Sequence, residues 1–120
     1  MTDSTAYVKG IRGEQLAADF LTSKGMVLLL QRYHSPFGEI DLVMEQSGVL
    51  VFVEVKYRPK SGARSGESAV TRRKQQRIVK TARCFLSEYP WPGAVRFDVV
   101  EITQDGVLHL PDAFQGREWD

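Results

Sequence analysis

Several features that would indicate particular protein classes are scarce or absent in this chain of 120 residues. Cys84 is its only cysteine, which excludes an internal disulfide and a cysteine-built zinc site and suits a reducing compartment. No apolar run approaches the length of a membrane span, and the first ten residues, MTDSTAYVKG, are too polar for a signal peptide. We therefore expect a cytoplasmic protein that does not enter the membrane.

The net charge is also small, at +1, which excludes a protein that binds nucleic acid through an overall basic charge. The charges are unevenly distributed, however. Ten basic residues and one acid lie between Lys56 and Arg83, so this segment carries +9 and the rest of the chain −8. Such an asymmetry indicates a face that binds a polyanion. The alternative is a basic helix face that is simply solvated, which is the usual role of charge runs.

The apolar periodicity predicts the element order α-β-β-β-α-β-β. Helical stripes cover 7–24 and 69–89, and the predicted strands are 26–33, 38–45, 49–57, 94–103 and 107–110. This order predicts an α/β fold with a mixed sheet flanked by helices. The length predicts a single domain over 1–120, in which 111–120 forms a tail.

The centre of the chain, 38–57, predicts a β-hairpin with a two-residue loop at Ser47-Gly48. This loop pairs Gln46 with Val49 and determines the register of every pair that follows. Because side chains alternate between the faces of a strand, one face of the hairpin is apolar. We predict that it belongs to the core, with these members: Ile40, Leu42, Met44, Val51, Val53 and Val55.

The same register brings charged side chains together, because it sets Asp41 opposite Glu54 and Glu39 opposite Lys56. Two carboxylates suit Mg²⁺ or Mn²⁺ rather than zinc, and the Val55 carbonyl is a candidate third ligand. Lys56 projects to the same face, where it could orient or deprotonate an attacking water or stabilise charge on a phosphate. The alternative is a structural ion network, although such a network would avoid placing like charges opposite each other.

Other polar residues flank this cluster. Glu14 lies at the margin of the first helix's apolar stripe, so it is either a surface charge or reaches the carboxylates. Gln75 lies on the apolar stripe of the second helix and is either a satisfied core amide or part of a site. A basic loop at 58–68 and the second helix would hold the phosphodiester backbone. The substrate-binding candidates are Glu39, Arg58, Arg72, Arg73, Lys74, Gln75 and Gln76.

The motifs resemble those of known nucleases. The chain has Asp41, then twelve residues, then Glu54-Val55-Lys56. This pattern is similar to the PD-(D/E)xK signature of the restriction-endonuclease-like fold, although Ile40 replaces the proline. An ordered set of segments resembles the YraN-type family of predicted bacterial endonucleases, which is related by fold and motif to archaeal Holliday-junction resolvases. These segments are KGIRGE at 9–14, GEIDLV at 38–43, VFVEVKYR at 51–58, RRKQQR at 72–77 and RFDVV at 96–100.

The resemblance implies a mixed sheet with the site at one edge and a divalent metal held by Asp41 and Glu54. It implies that Lys56 is the catalytic lysine. It also implies that Glu14 takes the place of the first-helix glutamate that joins the site in resolvase-like relatives. The catalytic residues expected from the resemblance are therefore Asp41, Glu54, Lys56 and Glu14.

A site-lining glutamine of some relatives would correspond to Gln75 or Gln76. The function expected from the resemblance is a Mg²⁺- or Mn²⁺-dependent endonuclease that cuts DNA, with branched and single-stranded DNA among its substrates. A resolvase-like role would favour a homodimer, since two cuts need two sites. The alternative function is a nuclease scaffold that binds DNA or a recombination partner without cutting.

Overall fold

The computed structural model describes residues 2–58 and 70–116. Its helices and strands follow the predicted order, so the prediction of an α/β fold is confirmed. They are α1 (Thr2–Ser23), β1 (Val27–Ser35), β2 (Gly38–Gln46), β3 (Val49–Tyr57), α2 (Arg72–Glu88), β4 (Val95–Thr103) and β5 (Gly106–Phe114). Nearly all of the predicted basic loop, and the end of the predicted tail, lie outside the described residues. Neither described helix is long and apolar enough to cross a membrane.

The strands form one mixed sheet in the order β1-β2-β3-β4-β5. Neighbours pair antiparallel except for β3 and β4, which are parallel. A parallel pair needs a crossover connection, and α2 lies in the segment that joins β3 to β4. This crossover places α2 on one face of the sheet.

An apolar cluster lies on each face of the sheet. On the α2 face, the ring of Phe52 contacts Phe85 edge-on and stacks on Phe97, with centroid distances of 5.5 and 5.6 Å. On the other face, α1 packs through Ala17, Ala18 and Leu21 against Leu42, Met44, Val51 and Val53. The central strands of the sheet are therefore covered on both faces.

The hairpin prediction is right for the loop and for most of the register. Ser47 and Gly48 have φ angles of 51° and 84°, the pair of positive values that a type I′ turn requires. Pairs then run from Gln46 opposite Val49 to Leu42 opposite Val53. The pairing ends there, so the prediction that the ladder continues through Asp41 opposite Glu54 to Glu39 opposite Lys56 is wrong.

The predicted core face of the hairpin also needs a correction. Ile40 belongs to the α2 cluster, whereas Leu42 belongs to the α1 cluster. The change of face occurs at Asp41. In β1 the residue between the partners of Ile40 and Leu42 is Arg32, whose φ of 54° interrupts the regular strand. The alternation of side chains is therefore broken at Asp41.

The predicted tail begins too early, because β5 continues to Phe114. The ring of Phe114 is buried and stacks on Phe97 at 5.0 Å. The backbone N–H of Asp112 donates to the buried carboxylate of Asp98 at 2.9 Å, which ties the strand to β4. Pro111 is tolerated because β5 is an edge strand.

Candidate active site

The candidate site lies where β2 and β3 separate. The regular pairing between them ends at Leu42 and Val53, and the next contact between the two strands is made by the side chain of Asp41. Its Oδ2 accepts a hydrogen bond of 2.7 Å from the N–H of Val55. The N–H and C=O of one strand residue point toward the same neighbouring strand. The carbonyl of Val55 therefore faces the same gap as the Asp41 carboxyl group.

Glu54 brings a second carboxylate to this gap, as the sequence predicted. Its side chain is only 5% exposed and lies close enough to the carboxyl group of Asp41 to raise the pKa of that group. Burial raises the pKa of Asp41 to about 8, and the charges of Glu54 and Glu14 act in the same direction. The hydrogen bond from Val55 opposes them. The combined effect favours the protonated form of the Asp41 carboxyl group at neutral pH.

The cation that contacts Glu54 comes from α2. Lys74 Nζ lies 2.5 Å from Glu54 Oε2. Thr71 caps this helix, and its side chain accepts a hydrogen bond of 3.2 Å from the backbone N–H of Lys74. The first turn of α2 contains no acid, so the helix dipole and the side chains are both positive here. This end of α2 favours an anion.

A cavity of about 390 Å³ opens between the carboxylates and α2. The two carboxyl groups form an acidic floor, and exposed cations of α2 form a basic rim. Of the predicted substrate-binding residues, Glu39, Arg73 and Lys74 line the cavity. Its complete lining is Gly38, Glu39, Asp41, Glu54, Thr71, Arg73, Lys74, Arg77 and Ile78.

Two predicted catalytic residues stand outside this lining. Lys56 is half-buried near the end of β3, where the parallel register places it beside the buried Glu101 of β4. Glu14 is half-buried, and its Oε1 accepts a hydrogen bond of 2.9 Å from Arg32 Nε. The charge of Glu14 contributes to the raised pKa of Asp41, although its hydrogen-bond partner is Arg32.

The remaining predicted substrate contacts do not line the cavity. Gln75 Nε2 donates to the Val70 carbonyl at 3.1 Å, so it is a satisfied amide at the start of α2. Arg58 lies near the buried Glu101, with 3.9 Å between Nε and Oε2. Arg72 and Gln76 are exposed on α2.

Arg77 and Thr71 line the cavity although the sequence analysis did not assign them to it. Arg77 lies one helical turn after Arg73, so helical spacing was the signal that could have identified it. Thr71 carries the signal of an N-cap, a threonine directly before a helix. The Lys74–Glu54 contact has no sequence signal, because it depends on how α2 docks on the sheet.

The oxygen atoms of the site fit a hard divalent cation. Within 2–58 and 70–116, no three His, Cys, Asp or Glu side chains come together as metal ligands, so a cation here would depend on two carboxylates, a backbone oxygen and waters. Mg²⁺ needs only one or two carboxylates besides waters and substrate oxygens. Asp41 and Glu54 supply two, and the Val55 carbonyl faces them. The main cause of the raised pKa of Asp41 is burial, which disfavours the ionised carboxyl group unless a cation lies beside it.

Comparison with known proteins assigns the chain to a family. The model of the Uncharacterised protein family UPF0102 matches residues 13–102. The chain belongs to this family. The UPF0102 match contains Glu14, Asp41, Glu54, Lys56 and Lys74, so the whole carboxylate cluster lies within it. This is the family that the sequence motifs indicated under the name YraN-type. Because UPF0102 is uncharacterised, membership by itself assigns no reaction.

UPF0102 proteins of several bacteria match this chain over most of its length. The protein of Saccharophagus degradans is 42% identical over 111 residues, which cover 91% of this chain and 94% of the relative. That of Legionella pneumophila is 39% identical over 112 residues, covering 88% and 93%. That of Persephonella marina is 34% identical over 110 residues, covering 91% and 95%.

The raised pKa of Asp41 predicts a stability that falls with pH. The pKa of this carboxyl group is about 8 in the folded protein, whereas its ordinary value, which we take for the unfolded chain, is 3.8. The folded state therefore binds more protons between these values, and the free energy of unfolding should fall by up to about 1.4 kcal/mol per pH unit. Asp41→Asn cannot ionise and should flatten this slope in urea unfolding between about pH 5 and pH 8 with EDTA.

Asp105→Asn is the matched control for this measurement, because Asp105 is exposed in the turn between β4 and β5. It should keep the slope of the wild type. An Asp41→Asn variant whose stability falls with pH as steeply as that of the wild type would contradict the raised pKa.

Proposed function

We propose that this protein is a divalent-metal-dependent endonuclease that hydrolyses phosphodiester bonds of DNA, with branched and single-stranded DNA among its substrates. The observation that carries the proposal is the Asp41–Glu54 pair, in which Glu54 is buried and Asp41 half-buried, in the lining of a cavity with a basic rim. Two carboxylates side by side are unfavourable in a buried place unless a cation or a proton neutralises them. A nuclease uses this arrangement, since the cation and the phosphate meet there.

Asp41, Glu54 and the Val55 carbonyl would hold the Mg²⁺ or Mn²⁺ ion. When bound, the ion would lower the pKa of a water and neutralise negative charge that develops on the phosphate. Glu54 is fixed by Lys74, and Asp41 is fixed by the N–H of Val55. The protein thus holds both carboxyl groups in position before the ion binds.

The basic rim supplies the contacts to the DNA backbone. Arg73 and Arg77 are exposed, lie one turn apart on α2 and line the same cavity. A guanidinium group binds a phosphate with two N–H donors, so this pair suits consecutive phosphates. Lys74 can transfer its contact from Glu54 to a phosphate oxygen once a cation neutralises Glu54.

Lys56 and Glu14 are proposed to act at the edge of the site. Lys56 follows Glu54 by two residues, which puts it on the same face of β3. As the catalytic lysine it would orient the attacking water or stabilise charge on the phosphate. The carboxylate of Glu14 adds negative charge beside Asp41 and would strengthen the attraction for a cation.

Cleavage of labelled DNA tests the proposed function. We expect Mg²⁺ or Mn²⁺ to support cutting of at least one of four substrates: linear duplex, single strand, flap and four-way junction. EDTA should abolish it. Asp41→Asn and Glu54→Gln should each lower the rate by at least about 100-fold, because each removes a charged ligand. Asp105→Asn should cut like the wild type. The proposal is rejected if no substrate is cut, or if the two site variants cut at the rate of the wild type.

One contact favours a second function, that of a module that binds DNA or a recombination partner without cutting it. Lys74 Nζ lies 2.5 Å from Glu54, and Asp41 holds a proton at neutral pH. Together they neutralise the carboxylates without a metal ion. In this case DNA binding would be sensitive to salt and would survive Asp41→Asn, but would weaken when Arg72 and Arg73 are changed to Gln.

Calorimetry with Mn²⁺ separates the two functions without a guess at the substrate. If the carboxylates bind metal, Lys74→Gln removes a competing cation and should tighten Mn²⁺ binding several-fold. Glu54→Gln should abolish the binding. Lys24→Gln, which removes an exposed lysine after α1, should bind Mn²⁺ like the wild type. If neither the wild type nor Lys74→Gln binds Mn²⁺, the metal-dependent nuclease is rejected, and salt-sensitive DNA binding then tests the binding module.

A further inference from the structure

A second cavity lies beside the first on the α2 face of the sheet. It has a volume of about 750 Å³ and lies between residues 33–37 and the α2 residues Lys80, Arg83, Cys84, Ser87 and Glu88. Their linings are neighbours in the chain at the turn between β1 and β2, where Phe37 lines the second cavity and Gly38 the first. One helix therefore borders both cavities.

Cations follow α2 from one cavity to the other. Arg73 and Arg77 line the first cavity, and Lys80 and Arg83 line the second. Intervals of three or four residues keep these side chains on one side of a helix. With a rise of 1.5 Å per residue, the interval from Arg73 to Arg83 spans about 15 Å. This distance is about four nucleotide steps of one DNA strand at duplex spacing.

Phe37 is a large aromatic side chain that the fold leaves outside both apolar clusters. It is 48% exposed at a turn that is fixed to α2. Its N–H donates to Ser35 Oγ at 3.0 Å, and this Oγ lies 2.8 Å from Thr81 Oγ1. Lys80 Nζ lies 5.6 Å from the centre of the ring. A fixed, exposed ring beside a cation is typical of surfaces on which a nucleobase stacks.

We propose that the second cavity binds an unpaired stretch of the nucleic-acid strand whose phosphodiester bond lies at Asp41 and Glu54. A base stacks on Phe37, and Lys80 and Arg83 contact the phosphates beside it. The inference rests on the proposed function, because it assigns both cavities to one strand. It names the substrate class as a strand with unpaired bases: a single strand, a flap or the open part of a junction.

The preference for unpaired bases follows from the position of the ring. In a duplex every base is already stacked on its neighbours, so a base can reach Phe37 only after it leaves the stack. An unpaired base has a free face and meets no such cost. The row of cations on α2 matches the charge of a nucleic-acid strand, which a protein segment would match only if it were strongly acidic.

Fluorescence anisotropy in EDTA tests this site while cleavage is suppressed. The probes are a labelled DNA single strand of about 12 nucleotides, the RNA strand of the same sequence and the DNA duplex. Phe37→Ala should weaken binding of the DNA single strand on the order of tenfold, and Phe37→Trp should retain it, because indole also stacks. Duplex binding should change by less than about twofold. Leu108→Ala, which truncates an exposed apolar side chain on β5, is the matched control and should bind like the wild type.

The RNA probe identifies the kind of unpaired strand. Equal weakening on RNA assigns the site to unpaired strands in general, and weakening on DNA alone assigns it to DNA. The proposal is overturned if Phe37→Ala binds the single strand like the wild type, if it weakens duplex and single strand equally, or if the wild type binds no probe.

The experiment also separates this site from the proposed function. Single-strand binding that depends on Phe37, without metal-dependent cleavage, would reject the nuclease and keep the site. The opposite result is cleavage that is abolished by Asp41→Asn together with single-strand binding that is unchanged by Phe37→Ala. That result would keep the nuclease and reject the site.

Discussion

The hydrogen bond from the N–H of Val55 to Asp41 is the contact on which the candidate site depends. It takes the place of the next backbone bond between β2 and β3, so the ladder ends at this point. The bond fixes the Asp41 carboxyl group against Glu54, and it leaves the Val55 carbonyl facing the same gap. The carboxyl groups of Asp41 and Glu54 thereby lie at an interruption of regular β-structure within a hairpin that is otherwise well paired. Such interruptions are common beside active sites.

The topology of the sheet supplies the other half of the site. Because β3 and β4 are parallel, the chain must cross over between them, and α2 lies in this crossover. Its N-terminus carries the cap residue Thr71 and the cation Lys74 to the edge of the carboxylate pair. The following turns extend the basic surface toward the β1–β2 turn and Phe37. The element that connects the strands is therefore also the element that would bind the polyanion.

The sequence was sufficient to predict the parts of the site that depend on local pattern. The Ser47-Gly48 loop determines the hairpin register, and this register predicts that Asp41 and Glu54 lie close together. The sequence could not predict where the pairing of β2 with β3 ends, because the end depends on the hydrogen bond from the Val55 N–H to the Asp41 side chain. The face of Ile40 was predicted wrongly because the alternation of side chains breaks at Asp41, beside the positive φ of Arg32 in β1. The contact of Lys74 with Glu54 spans two elements and follows from the docking of α2, which no local pattern encodes.

The binding of a divalent cation by Asp41 and Glu54 is the central claim, and a crystal soaked in Mn²⁺ tests it most directly. Anomalous scattering at the manganese absorption edge would locate the ion. We expect one peak in contact with oxygen atoms of Asp41, Glu54 and the Val55 carbonyl, with the Lys74 ammonium group displaced from Glu54. A crystal with no peak between the carboxylates, and with Lys74 still in contact with Glu54, would contradict the claim.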